Sequence, residues 1–199
     1  LVHGGVHWLK EPIVFTKEDS GVSAEKPFVI AAFGKEMPVL SGGVRLTGWK
    51  DMQPGLWQAD ARAQLGTNWR FRSLFIDGRR ATRARTPNEG GLFRMDGARF
   101  SDKPFQFKFR ASDLKAEWAE TGDVEVVAFE KWTDIRQFIR EVNTTSNVVT
   151  LSGSSTPHTR EGGARYFIEN APDAIDAPDS AAMRVSAIRM AFSFGRRRR

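Results

Sequence analysis

Short apolar runs, each ended by Gly, Pro, Asn, Asp or Ser, follow one another through this chain. That spacing leaves room for strands but not for helices of ordinary length. The runs include Val6–Leu9, Pro12–Thr16, Phe28–Phe33, Pro38–Leu40, Val44–Trp49, Leu56–Ala59 and Phe71–Ile76. Turn signals roughly every 8–12 residues are the mark of an all-β domain. Phe28–Phe33 is continuously apolar and short, which predicts a strand buried on both faces. Runs of that kind suit stacked parallel sheets, and a parallel β-helix is the all-β architecture that provides them.

The stretch Ser73–Asn88, S-L-F-I-D-G-R-R-A-T-R-A-R-T-P-N, carries the densest local information. Asp77-Gly78 after Leu74-Phe75-Ile76 predicts a two-residue hairpin. Beyond it, Arg83 and Arg85 share one face of an extended strand and Ala84 takes the other, since strand side chains alternate. Two adjacent guanidinium groups repel unless carboxylates, carbonyls or an anionic ligand lie opposite. Two roles follow: pairing with local acids and carbonyls, or gripping an acidic or sulfated sugar. Arg83, Arg85 and Asn88 are therefore the candidate substrate-binding residues, although Asn88 after Pro87 also reads as a turn residue.

After Asn88 the texture changes. Phe105-Gln106-Phe107-Lys108-Phe109 alternates strictly, predicting a strand with one buried face. Ser112–Trp118 is expected to form one or two helical turns capped by Ser112 or Asp113. Val124–Phe129, Trp132–Val142 and Val148–Leu151 read as strands, with strand preferred to helix over Asp134–Arg140. An antiparallel, sandwich-like subdomain is expected over residues 89–177.

The 199 residues include 15 Phe and 6 Trp, enough apolar surface for a real core. Cysteine is absent, which excludes disulfides and thiolate metal sites. No run approaches the roughly 18 apolar residues of a membrane span. The net charge of +6 is concentrated at the end. Residues 178–199 hold six arginines (Arg184, Arg189 and Arg196–Arg199) against Asp179, net +5, so the rest is near balance. A terminal run is not a basic folded face, so no specific nucleic-acid partner is expected.

In order, G-V-H-W-L from Gly5, D-S-G from Asp19, G-K-E-M-P-V-L-S-G-G from Gly34 and L-T-G-W from Leu46 lead to the arginine-rich strand. R-Y-F-I-E-N from Arg165 follows. This set resembles the N-terminal part of large secreted bacterial proteins with a right-handed parallel β-helix. They are related to glycoside hydrolases that include α-L-fucosidase-like and xylanase-like members. The resemblance implies initial β-helix coils over residues 1–88, interrupted by the inserted β subdomain. It also implies secreted or periplasmic placement, a polysaccharide or oligosaccharide partner, and catalytic carboxylates in later coils. Leu1 in place of Met fits an upstream segment such as a signal peptide outside this chain.

From about residue 178 the family pattern is lost. Reading residues 177–194 from the third base of each codon permits the family-like words P-G-Q and R-D-P-D-G-V-L-F-W. That tail is accordingly expected to be non-native, from a shifted or truncated reading frame.

No catalytic residue stands out. Glycoside hydrolysis needs two carboxylates about 5–10 Å apart. Asp77, Glu130, Asp134, Glu169, Asp173 and Asp176 are available, each with an equally good salt-bridge or turn role. His3, His7 and His158 lack metal-ligand spacing, so neither a metal nor a cofactor is expected. Neither Gly42-Gly43 nor Gly90-Gly91 has P-loop spacing, and no G-x-S-x-G elbow occurs. Trp49, Trp57, Trp69 and Trp132 are candidate sugar-stacking platforms, with core packing the assignment for most. The chain by itself is expected to be inactive; the alternative is a non-catalytic carbohydrate-binding or adhesion module in which the aromatics and Arg83 and Arg85 hold a polysaccharide.

Overall fold

The structure is a computed structural model and describes residues 1–66, 71–97, 101–154, 162–176, 180–183 and 188–191. Strand dominates, and the chain divides into two units, Leu1–Leu46 and Thr47–Arg199.

In the first unit, β1 (Gly5–Trp8) pairs in parallel with β2 (Pro38–Ser41), Gly5 opposite Pro38 and Trp8 opposite Ser41. The parallel run extends upstream through a Val2–Ala32 bridge and downstream through Leu9 N–H donating to the Ser41 carbonyl at 2.8 Å. Between the strands, Asp19 accepts from the Thr16 backbone N–H (2.8 Å) and hydroxyl (3.1 Å), capping the short helical turn Lys17–Asp19.

Several expected strands do not form here. Pro12–Thr16 and Phe28–Phe33 are not strands, and Phe28, Val29 and Ile30 are exposed rather than buried on both faces. None of residues 1–46 is buried. Apolar character alone does not bury a run; a layer must lie on each side of it, and this unit contains a single ladder. Val44–Trp49 likewise forms no strand.

The second unit contains β3 (Lys50–Gln53), β4 (Leu56–Ala59), α1 (Ala61–Leu65), β5 (Phe75–Ile76), β6 (Arg79–Arg80), β7 (Thr82–Arg83), β8 (Arg85–Thr86) and β9 (Phe93–Arg94). It continues with β10 (Ser101–Asp102), β11 (Phe105–Lys108), α2 (Glu117–Thr121), β12 (Glu125–Phe129), β13 (Asp134–Asn143), β14 (Val148–Leu151) and β15 (Arg165–Glu169). Two late strands, β16 (Ser180–Met183) and β17 (Ile188–Ala191), complete it.

The largest sheet has the order β10-β11-β14-β13-β12-β15-β8, with β9 on β15 beside β8, and every pairing is antiparallel. Strict alternation in β11 puts Phe105 and Phe107 on its inner face, with Phe109 following just beyond. They join Val126, Ala128, Ile139, Val149, Leu151, Tyr166 and Ile168 in one core, closed by Trp118 of α2. The Phe107 and Tyr166 rings lie 5.0 Å apart although three strands separate β11 from β15. The sheet therefore curls around its core.

The helix comes later than expected. Ser112 takes a left-handed conformation (φ 77°) that cannot start a helix, and α2 begins after Ala116. Gly122 ends it at φ 68°, a geometry that favours glycine.

A second sheet has the order β3-β4-β17-β16-β7, in which β16 and β7 are parallel. The segment expected to be non-native thus supplies two of its strands. Asp77 (φ 48°) and Gly78 (φ 78°) turn β5 into β6 as expected, with Ile76 opposite Arg79. The chain next passes from the edge of one sheet (β7) to the edge of the other (β8) through a single buried residue, Ala84.

Candidate functional site

The site starts from alternation in three neighbouring strands. In β12, Val126 and Ala128 face the core, so Glu125, Val127 and Phe129 take the other face. In β15, Tyr166 and Ile168 face inward, leaving Phe167 and Glu169 outward. Ala84 is in the core, which turns Arg83 and Arg85 to the same outer face. The β12–β15 register sets Glu125 directly opposite Glu169. Like charges in that position repel unless cations sit between them.

Arginine side chains supply the cations. Arg83 Nη1 donates to Glu125 Oε2 at 2.7 Å and lies 3.4 Å from Glu169 Oε2, joining the two carboxylates. Arg72 Nη2 takes the other Glu125 oxygen at 2.8 Å, and Arg136 Nη1 donates to Glu169 Oε2. Glu125 and Arg83 are buried, with 2% and 12% of their side chains exposed, whereas Arg72 is 56% exposed. Arg83 Nε is buried and meets no acceptor among the described residues.

Arg85 is engaged differently. Its Nε donates to the Pro87 carbonyl and its Nη2 to the Gly91 carbonyl, both at 2.9 Å, while its guanidinium lies 3.8 Å from the Phe167 ring centre. Burial draws its pKa below the usual arginine value, partly opposed by Glu169 and Glu89. With the Asn88 amide turned to suit its neighbours, its nitrogen donates to Asp176 Oδ1 at 3.1 Å and to the Arg85 carbonyl at 3.3 Å. Arg83, Arg85 and Asn88 therefore sit close in the chain but serve two local constellations, one on carboxylates and one on a loop.

A second polar cluster lies by α2. Asp173 accepts from Trp118 Nε1 at 2.8 Å and from Lys115 Nζ. Burial opposes its ionisation, yet these two donors outweigh it and hold the carboxyl below its usual value. Tyr166 donates its hydroxyl to Asp113 Oδ2 at 2.9 Å. Burial first, then the Asp113 charge, pushes the Tyr166 pKa well above its usual value.

This is the chain's single tyrosine. The folded protein is therefore expected to show no phenolate absorbance near 295 nm around pH 10, where the denatured chain titrates. A folded-state pKa raised above the unfolded one gives stability that is full below about pH 10 and lost as pH rises further. A normal tyrosine titration curve in the folded protein would refute the burial of Tyr166 beside Asp113.

Several residues were legible only in part from sequence. Glu169 was a candidate; Glu125 was missed, although a lone charge in V-E-V-V-A-F is itself the signal. Arg72 and Arg136 gave no signal, because the pairings Arg72–Glu125 and Arg136–Glu169 span 53 and 33 residues. Trp57 is half-buried with its Nε1 enclosed, and Trp132 is exposed. Trp69 and His158 lie outside the described residues. Among the described residues, no group of three or more His, Asp or Glu is placed to hold a metal ion. No helix among them is long and apolar enough to cross a membrane.

No family model matches this chain, and no curated protein matches it. A solved structure described as a glycoside hydrolase is similar in fold, with a TM-score of 0.70 and 24% identity over 97% of this chain. The chain spans 35% of that protein's length.

Proposed function

We propose that this chain is a non-catalytic portion of a carbohydrate-active protein of the glycoside hydrolase type, acting on polysaccharide. The observation that carries the reading is the likeness in fold, which runs through 97% of the chain. The chemistry of the site agrees with it. The best-placed carboxylate pair, Glu125 and Glu169, is held by three arginines, and Glu125 is closed to solvent. A carboxylate that acts on a glycosidic bond needs access to the sugar, and these oxygens are taken up by guanidinium groups. Arg83, Arg85 and Asn88 act in this reading as a frame for the site rather than as its contacts with sugar.

The first unit is proposed to be a coil of a right-handed parallel β-helix, followed by an inserted antiparallel subdomain. Its parallel partners are 33 residues apart, Gly5 on Pro38 through Trp8 on Ser41, a separation compatible with one turn of such a coil. Its exposed apolar side chains suit a surface that further coils cover, since parallel strands are ordinarily covered on both faces. Secretion is proposed with the fold and the substrate class.

The test is reducing-sugar release from plant, algal and host glycans. The chain alone is expected to release none, and the same chain joined to the flanking polypeptide of its gene is expected to release sugar. Turnover by the chain alone would overturn the non-catalytic assignment. Absence of turnover by the longer polypeptide on every glycan would overturn the carbohydrate reading.

A further inference from the structure

Strands β12 and β13 are joined by Glu130-Lys131-Trp132-Thr133, closed by the Glu130 N–H donating to the Thr133 carbonyl at 2.8 Å. Thr133 also donates its hydroxyl to Glu130 Oε2 at 3.4 Å. Trp132 stands at this tip with 81% of its surface exposed. The other described tryptophans are held more closely: Trp118 is in the core, Trp49 and Trp57 are half-buried, and Trp8 is 49% exposed. A tight polar turn has no need of an indole, and any polar residue would keep this one in water at lower cost.

The hairpin that carries the ring is anchored in the core. The hairpin closes with Phe129 opposite Asp134, and its strands are anchored in the core by Val126, Ala128 and Ile139. At its root the Phe129 ring packs at 5.9 Å from Phe167. Lys131 Nζ lies 5.8 Å from the Trp132 ring centre, so one cation borders the ring. Around the tip, Glu130 and Asp134 are interspersed with Lys131, Arg136 and Arg165, the last 5.8 Å from the Phe129 ring, so neither sign of charge stands alone. A flat, exposed ring with a polar rim of mixed charge fits an apolar C–H face bordered by hydroxyl groups.

From this we infer a surface contact for polysaccharide: Trp132 stacks on a pyranose ring of a neutral glycan chain. The inference rests on the carbohydrate reading above and deepens it, placing a sugar contact away from any catalytic carboxylates. Aromatic side chains with fixed geometry bind such faces at little conformational cost, and a single platform gives weak, chain-length-dependent retention.

The test is migration in native gels of reversed polarity, which suit a chain of net charge +6, cast with hydroxyethylcellulose, arabinoxylan, laminarin or alginate. At least one neutral polysaccharide is expected to slow the wild-type chain. Trp132→Ala is expected to migrate there as it does in a sugar-free gel, a complete loss of retardation. Phe75→Ala, which removes an exposed ring on another hairpin, is expected to be retarded like wild type. Coincident thermal transitions show that each variant is folded; an exposed replacement of this kind changes stability little. The inference is overturned if Trp132→Ala is retarded like wild type, if Phe75→Ala loses retardation equally, or if no neutral polysaccharide slows the wild type. Retardation by alginate alone also overturns it, since charge would then be the cause. In each of these cases the glycoside hydrolase reading is still decided separately, by sugar release.

Discussion

Arg83→Met is expected to lower the free energy of unfolding by about 3–5 kcal/mol, the range seen when one partner is removed from a buried ion pair. Methionine keeps much of the stem's volume, so the loss reports the guanidinium rather than a cavity. Glu125 and Glu169 are opposite one another on β12 and β15, and Arg83 is the side chain bonded to one and within ion-pair distance of the other. Without it, two carboxylates face each other across a ladder, and Arg72, largely in water, compensates Glu125 weakly. Adding Glu125→Leu removes one of the two carboxylates, so the double replacement is expected to be less destabilised than the sum of the single ones. Coupling of about 0.5–3 kcal/mol is usual for side chains in one network. Urea unfolding followed by tryptophan fluorescence measures both quantities. Strict additivity would show that the three groups do not act together.

Phe107→Ala should produce a loss of similar size by another mechanism. Phe107 is fully buried and packs against Phe105 at 5.6 Å and Tyr166 at 5.0 Å between ring centres. Truncating a core phenylalanine costs about 3–5 kcal/mol, from lost transfer energy and the cavity left behind. Its place at the curl of the sheet makes relaxation difficult, because β11 and β15 are both fixed by hydrogen-bonded neighbours. Phe75→Ala, on an exposed hairpin, serves as the contrast and should stay within about 0.5 kcal/mol of wild type. Equal losses at the two positions would mean that the core is not where the structure puts it. Since whole domains are stable by only about 5–15 kcal/mol, either large-effect replacement can leave the chain partly unfolded at 37 °C. Both are best compared by denaturant midpoint at lower temperature.

What the sequence revealed about this fold depended on how local each signal was. The alternation of Phe105, Phe107 and Phe109 named a buried face correctly, because period two is a property of the strand itself. The same rule separated Ala84 from Arg83 and Arg85, and Asp77-Gly78 specified its turn through backbone conformation alone. Phe28–Phe33 misled because a continuous apolar run has no period, and its burial depends on layers elsewhere. Ser112 misled because a good capping residue was placed in a left-handed conformation instead. The Arg83–Glu125 pair was beyond local reading. Its members are 42 residues apart, and only the β12–β15 register brings the second carboxylate alongside. A strand that looked electropositive in isolation thus turns out to face acids supplied by two later strands.

The assignment of these arginines to the frame is tested most directly by polysaccharide retardation of Arg83→Met and Arg85→Met, in gels run at a temperature where each variant is folded. The expected result is a lowered denaturant midpoint for Arg83→Met, with retardation in neutral polysaccharide equal to wild type for both. Loss of retardation with the midpoint unchanged would contradict it, and would make the arginines contacts for sugar.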